Sequence, residues 1–105
     1  MNIIERATIS RTRIKEVSIN EIEISKFIFI DVRDNQDYVN GHLDGALSVP
    51  FDIFENEITN IIPDRLTAIA VYCTLGHKSA VATDMLQDLG YSDVCSIKGG
   101  LTSMR

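Results

Sequence analysis

Two short uninterrupted apolar runs, Phe27-Ile28-Phe29-Ile30 and Ala68-Ile69-Ala70-Val71-Tyr72, limit what this chain can fold into. Both are rich in β-favouring residues without polar alternation, so each reads as a strand buried on both faces. Strands of that kind pair in parallel, and a parallel sheet needs long crossovers, usually helical, to cover it. The sequence supplies them. Val81, Ala82, Met85, Leu86 and Leu89 fall at spacings of three and four, predicting a helix from Ser79 to Leu89 that Gly90 ends. Phe51 to Ile58 reads as a second helix. Asp34 is placed to cap a short third one through Tyr38, with Gly41 ending it in the left-handed conformation. Ala46–Val49, stopped by Pro50, and Val94–Ile97 read as further strands, with a turn at Pro63-Asp64. Ile14, Val17 and Ile19 suggest an edge strand, after which Ser18 or Asn20 caps a brief helix holding Ile22. The alternation predicts an α/β fold with a central parallel sheet flanked by helices on both faces.

A chain of 105 residues has room for one core. Residues 1–12, with Arg6 and Arg11 among polar neighbours, read as a loosely held N-terminal arm, and residues 13–105 as the domain. Hydrophobic residues at 45% and charged ones at 24% fit a soluble globular protein. The formal charge of −5 argues against nucleic acid or an anionic membrane surface as partner, so any bound anion must be held by local structure. Met1-Asn2-Ile3-Ile4-Glu5-Arg6 lacks the pattern of a secretory leader and no apolar run reaches membrane-spanning length, so the expected location is cytoplasmic. Cys73 and Cys95 are too few for a disulfide framework and read as reduced thiols. No Cys-x-x-Cys or His-x-x-x-His spacing calls for a metal, and no cofactor is expected.

The chemistry concentrates in Val71-Tyr72-Cys73-Thr74-Leu75-Gly76-His77-Lys78-Ser79, which runs from a buried strand into a helix. In open α/β sheets ligands bind at that junction. A loop there can curl until successive N–H groups face one centre, with Gly76 supplying the needed freedom and the helix N-terminus adding unpaired donors. A cysteine at the mouth of such a nest is favoured as its thiolate by the amides, the helix dipole and Lys78. Cys95, between Val94 and Ile97, reads as core packing instead.

Cys73-Thr74-Leu75-Gly76-His77-Lys78-Ser79 resembles the rhodanese active-site loop, a Cys-x-x-Gly-x-Arg turn usually followed by Ser or Ala. Asp31-Val32-Arg33 is similar to that family's Asp-Val-Arg element. Asp37-Tyr38-Val39-Asn40-Gly41-His42-Leu43-Asp44-Gly45-Ala46 is similar to its Glu-Tyr-x-x-Gly-His-Ile-x-Gly-Ala segment, and Gly99-Gly100 to its late glycine pair. The resemblance runs from about Ile14 to Met104 and implies a rhodanese-like three-layer domain. It also implies a reaction: sulfane sulfur moves from a donor such as thiosulfate or a persulfide onto Cys73, then to a thiol, to cyanide or to a sulfur-relay protein. Thr74, Leu75, Gly76, His77, Lys78 and Ser79 would form the anion-binding loop. Asp31 and Arg33 are expected as an ion pair or loop anchor, and His42 as a residue that fixes a loop by hydrogen bonding. His77 is either a proton shuttle or an exposed histidine without function.

Two positions depart from the family's pattern. Lys78 replaces the loop arginine and offers a point charge instead of a planar fork for two oxygens, so thiosulfate is expected to be a poor donor. Met104 stands where a tryptophan is usual. Two rival functions follow from the same residues. A related cysteine phosphatase would need a loop one residue longer that ends in arginine, where this chain has Ser79. A non-catalytic binding or regulatory module of the same fold often lacks the cysteine that is present here.

Overall fold

The computed structural model describes residues 1–104. Five strands form one sheet in the order β1-β5-β4-β2-β3, every neighbouring pair parallel. They are β1 (Glu16–Val17), β2 (Ile28–Asp31), β3 (Leu47–Ser48), β4 (Ile69–Tyr72) and β5 (Val94–Ile97). The helices are α1 (Ile3–Ser10), α2 (Asn35–Asn40), α3 (Phe51–Ile61) and α4 (His77–Asp88), with single-turn 3₁₀ segments at Ile19–Glu21, Ile24–Lys26 and Gly100–Met104. β4 sits at the centre with all four residues buried, as its unbroken apolar sequence requires. β2 runs beside it with Ile30 opposite Val71 and Asp31 opposite Tyr72.

The two sheet faces are covered differently. On one, Phe54 and Ile58 of α3 and Ala82 and Leu86 of α4 pack on Ile30, Val32, Ile69, Val71 and Val94. On the other, Phe29, Ala70, Tyr72, Cys95 and Ile97 meet Ile19, Ile22, Leu43, Leu101 and Met104 from the 3₁₀ segments and loops. Tyr91 is buried under α3, where its hydroxyl donates to the Ile62 carbonyl. A parallel sheet covered on both faces, by α-helices on one and by 3₁₀ turns and loops on the other, agrees with the fold class the sequence predicts.

Several local expectations change. Residues 1–12 are not a loose arm: Ile3–Ser10 form a helix closed at its start by a reciprocal bond pair between Asn2 and Glu5. Its Ala7 packs against Ala80 and Val81 of α4. α4 buries one stripe on the sheet and another under α1, which is why the residues between its main apolar positions are also buried. Asp34 occupies the N-cap of α2 but its side chain makes no capping bond. Gly41 has φ 156° and ψ 133°, a positive-φ extended conformation rather than the left-handed helical one. Ser18 caps the turn Ile19–Glu21, and Ile22 lies just past its end. β2 begins at Ile28, whose side chain is exposed, and Phe27 closes the preceding turn. α4 starts at His77, two residues before the predicted start at Ser79.

Candidate active site

The chain leaves β2 for α2 and the β3 edge of the sheet, but leaves β4 for α4 and the β5 edge. Loops diverging from neighbouring strands open a crevice at their C-terminal ends. A cleft of about 190 Å³ lies there, lined on one side by Arg33, Asp34 and Asp37 and on the other by Cys73, Thr74, Leu75, His77 and Lys78, with Ile3 of α1 at its edge.

Cys73 follows β4 directly and is 5% exposed. The loop curls over its sulfur: the Gly76 N–H reaches Sγ at 3.1 Å and the Ser79 N–H at 3.4 Å. Ser79 Oγ accepts from Cys73 Sγ at 3.5 Å and from Ser96 Oγ at 2.9 Å. The curl depends on Gly76, whose φ of 97° is left-handed and whose missing Cβ would sit 3.2 Å from the Gly99 nitrogen. Two backbone N–H groups therefore converge on one sulfur at the N-terminus of a helix. The N–H groups of His77 and Lys78 have no acceptor among the described residues, and both residues line the cleft.

The sequence reading misses what stands behind this loop. The Gly99-Gly100 turn docks on it: Leu101 N–H donates to the Cys73 carbonyl at 2.9 Å and Thr102 N–H to the Thr74 carbonyl at 3.3 Å. A Cβ on Gly100 would overlap the Cys73 carbonyl oxygen and lie 2.7 Å from that of Thr74. The glycine pair is thus a close backbone contact as well as a turn. Arg11, which the sequence places in an arm, reaches the loop from α1, its Nη2 donating to the Gly76 carbonyl at 3.2 Å. No local signal separates Arg11 from the other N-terminal arginines.

Of the remaining candidates, Leu75 is exposed at the loop tip and Thr74 is exposed beside it. Lys78 is half-buried, with Nζ 5.9 Å from the centre of the Phe51 ring, and forms no ion pair among the described residues. Asp31 is fully buried. It holds Arg33 through contacts of 3.1, 3.1 and 2.7 Å and also accepts the Arg33 N–H, while Arg33 Nη2 donates to the Gly41 carbonyl at 2.7 Å. Hydrogen bonding to Asp31 raises the Arg33 pKa further above its ordinary value. Beside them, burial pushes the Tyr72 phenol up to about 12, although its oxygen accepts the Leu43 N–H at 3.1 Å. This pair ties the β2 end to the α2 loop and puts the Arg33 side chain at the cleft wall. His42 does not join the cleft: its Nδ1 bonds the Tyr38 carbonyl at 2.7 Å and its ring stacks on Tyr38 with centroids 3.7 Å apart. Cys95 lies in β5 on the far core face, where burial pushes its thiol up to about 11.

Residues 16–105 match the family described as rhodanese-like domain. The chain belongs to that family. The thiosulfate sulfurtransferase PspE of Escherichia coli K12 is 33% identical over 66 residues, which cover 63% of this chain and 64% of PspE. A tRNA uridine(34) hydroxylase of Erwinia tasmaniensis is 32% identical over 78 residues, 70% of this chain but only 22% of that protein. This rhodanese-like chain therefore spans just under two thirds of PspE and a small part of the hydroxylase. A solved structure described as rhodanese with anions from E. coli superposes with a TM-score of 0.66 at 33% identity, over 72% of this chain and 88% of that one. The human single-domain sulfurtransferase TSTD1 superposes with a TM-score of 0.75 over 85% of this chain and 93% of its own, and at 20% identity this speaks to the fold alone. Among the described residues no helix is long and apolar enough to cross a membrane.

Proposed function

We propose that the protein is a sulfurtransferase that carries sulfane sulfur on Cys73, taking it from thiosulfate or a persulfide and passing it to a thiol, to cyanide or to a sulfur-relay protein. The observation that carries this reading is the convergence of the Gly76 and Ser79 N–H groups on Cys73 Sγ at the base of an open cleft. In the loading step the Cys73 thiolate attacks the outer sulfur of thiosulfate. A new S–S bond forms, the old one breaks, and sulfite leaves with its electron pair. In the second step an acceptor thiolate attacks the terminal sulfur of the persulfide, and Cys73 departs as thiolate. No general acid or base is needed in either step, in keeping with a cleft whose sulfur is served by hydrogen-bond donors.

Lys78 bears on donor choice, because its ammonium is a point charge where a guanidinium would clamp two oxygens. Intact-protein mass spectrometry after incubation with a sulfane donor tests the reading directly. The parent and Cys95→Ala should each gain one sulfur, and Cys73→Ser none. Lys78→Arg should raise the specificity constant for thiosulfate and Lys78→Ala lower it. Loading that survives in Cys73→Ser would mean that the wrong thiol has been chosen.

A further inference from the structure

Helix α1 lies outside residues 16–105, over which the chain matches its family, yet it reaches the candidate active site twice. Ile3 lines the cleft, and Arg11, at the C-cap of α1, grips the turn that curls over the sulfur. Arg11 Nη2 donates to the Gly76 carbonyl at 3.2 Å and lies 3.2 Å from His77 Nδ1, while its Nε donates to Glu16 Oε2 of β1 at 2.9 Å. A guanidinium has donors only. The ring nitrogen facing it must therefore accept, and the imidazole proton resides on Nε2. The amide and carbonyl of Gly76 are both engaged: the N–H is the shorter of the two backbone contacts to Sγ, and the carbonyl also receives Ala80 N–H at 3.3 Å to start α4.

We propose that Arg11 is a positioning residue of the active site, holding the Gly76-His77 turn over Cys73 and fixing His77 as an Nε2–H donor at the cleft. Glu16 anchors the guanidinium from behind, joining α1 and β1 to the loop. The inference rests on Cys73 being the working thiol, but two of its readouts do not require sulfur transfer. One is the set of ring-nitrogen chemical shifts of His77, with His42→Gln identifying the other histidine. The second is the rate of Cys73 alkylation by iodoacetamide. The parent should show one His77 tautomer, protonated at Nε2. Arg11→Gln should show a mixture, with alkylation slowed about tenfold as the donors over the sulfur lose their fixed place. Glu16→Gln should fall between the two. Arg11→Lys, which keeps a cation but not the fork, should retain more of the alkylation rate than Arg11→Gln, and it serves in the same way if the glutamine variant does not fold. An unchanged tautomer with an alkylation rate within about twofold of the parent would overturn the proposal. If both readouts move but no donor loads Cys73 of the parent, the sulfur-transfer reading fails and the positioning role stands.

Discussion

At the scale of single residues, the site is shaped as much by missing side chains as by present ones. Gly100 has a φ of 55°, and a Cβ there would overlap the Cys73 carbonyl oxygen. Gly100→Ala combines a left-handed alanine, about 1 kcal/mol, with displacement of the turn, so it should cost more than about 2 kcal/mol and slow sulfur loading. Thermal melts with loading rates check this; a variant with parental stability would show that the contact yields cheaply. Ser79→Ala should leave Ser96 Oγ without its acceptor in the core, costing about 1–3 kcal/mol by denaturant unfolding. The curl of the loop is legible from sequence because Cys73, Gly76 and Ser79 are neighbours in the chain between a buried strand and a helix, and glycine suits the left-handed turn between them. The docking of Leu101 and Thr102 on Cys73 and Thr74 is not, because backbone donors arriving from a distant segment leave no mark on the side chains.

At the scale of elements, the strands carry opposite kinds of buried polarity. The end of β2 holds an ion pair with Asp31 fully buried. Arg33→Ala would strand that carboxylate, and unfolding should cost about 3–5 kcal/mol less, with Arg33→Lys intermediate because it lacks the fork. Central strands β4 and β5 instead hold acids that must stay protonated. Burial moves Cys95 from 9.0 to about 11 and Tyr72 from 10.0 to about 12. In both cases the folded protein binds the proton more tightly than the unfolded chain does. Their contribution is intact below pH 9.0 and falls as pH rises, first through the Cys95 interval and then through the Tyr72 interval up to about 12. Denaturant midpoints taken from pH 9.0 upward should decline, and Cys95→Ala should flatten the first part of that decline. A parental slope in that variant would assign the alkaline loss elsewhere. The strands are legible because unbroken apolar runs have few other homes. Helix α1 is not, since its buried stripe is short and meets another helix, so Ile3 and Ala7 are outweighed by the arginines around them.

At the scale of the whole molecule, α1 is part of the cooperative unit: Ala7 is fully buried against Ala80 and Val81, and Ser10 Oγ donates to Asp84 at 3.0 Å. Unfolding followed by a probe on α1 and by far-ultraviolet circular dichroism should therefore give one coincident transition. An earlier melt at the α1 probe would show that the helix frays independently. The Gly99-Gly100 contact has a further consequence for how the protein is made. A ribosome delivers Arg11 first, then Cys73, and only later the amides of Leu101 and Thr102 that take up the Cys73 and Thr74 carbonyls. A nascent chain halted shortly after α4 holds Cys73 and its helix but not the backing of its loop, so under the proposed function sulfur loading should begin only once synthesis has passed Thr102 and that segment has cleared the exit tunnel.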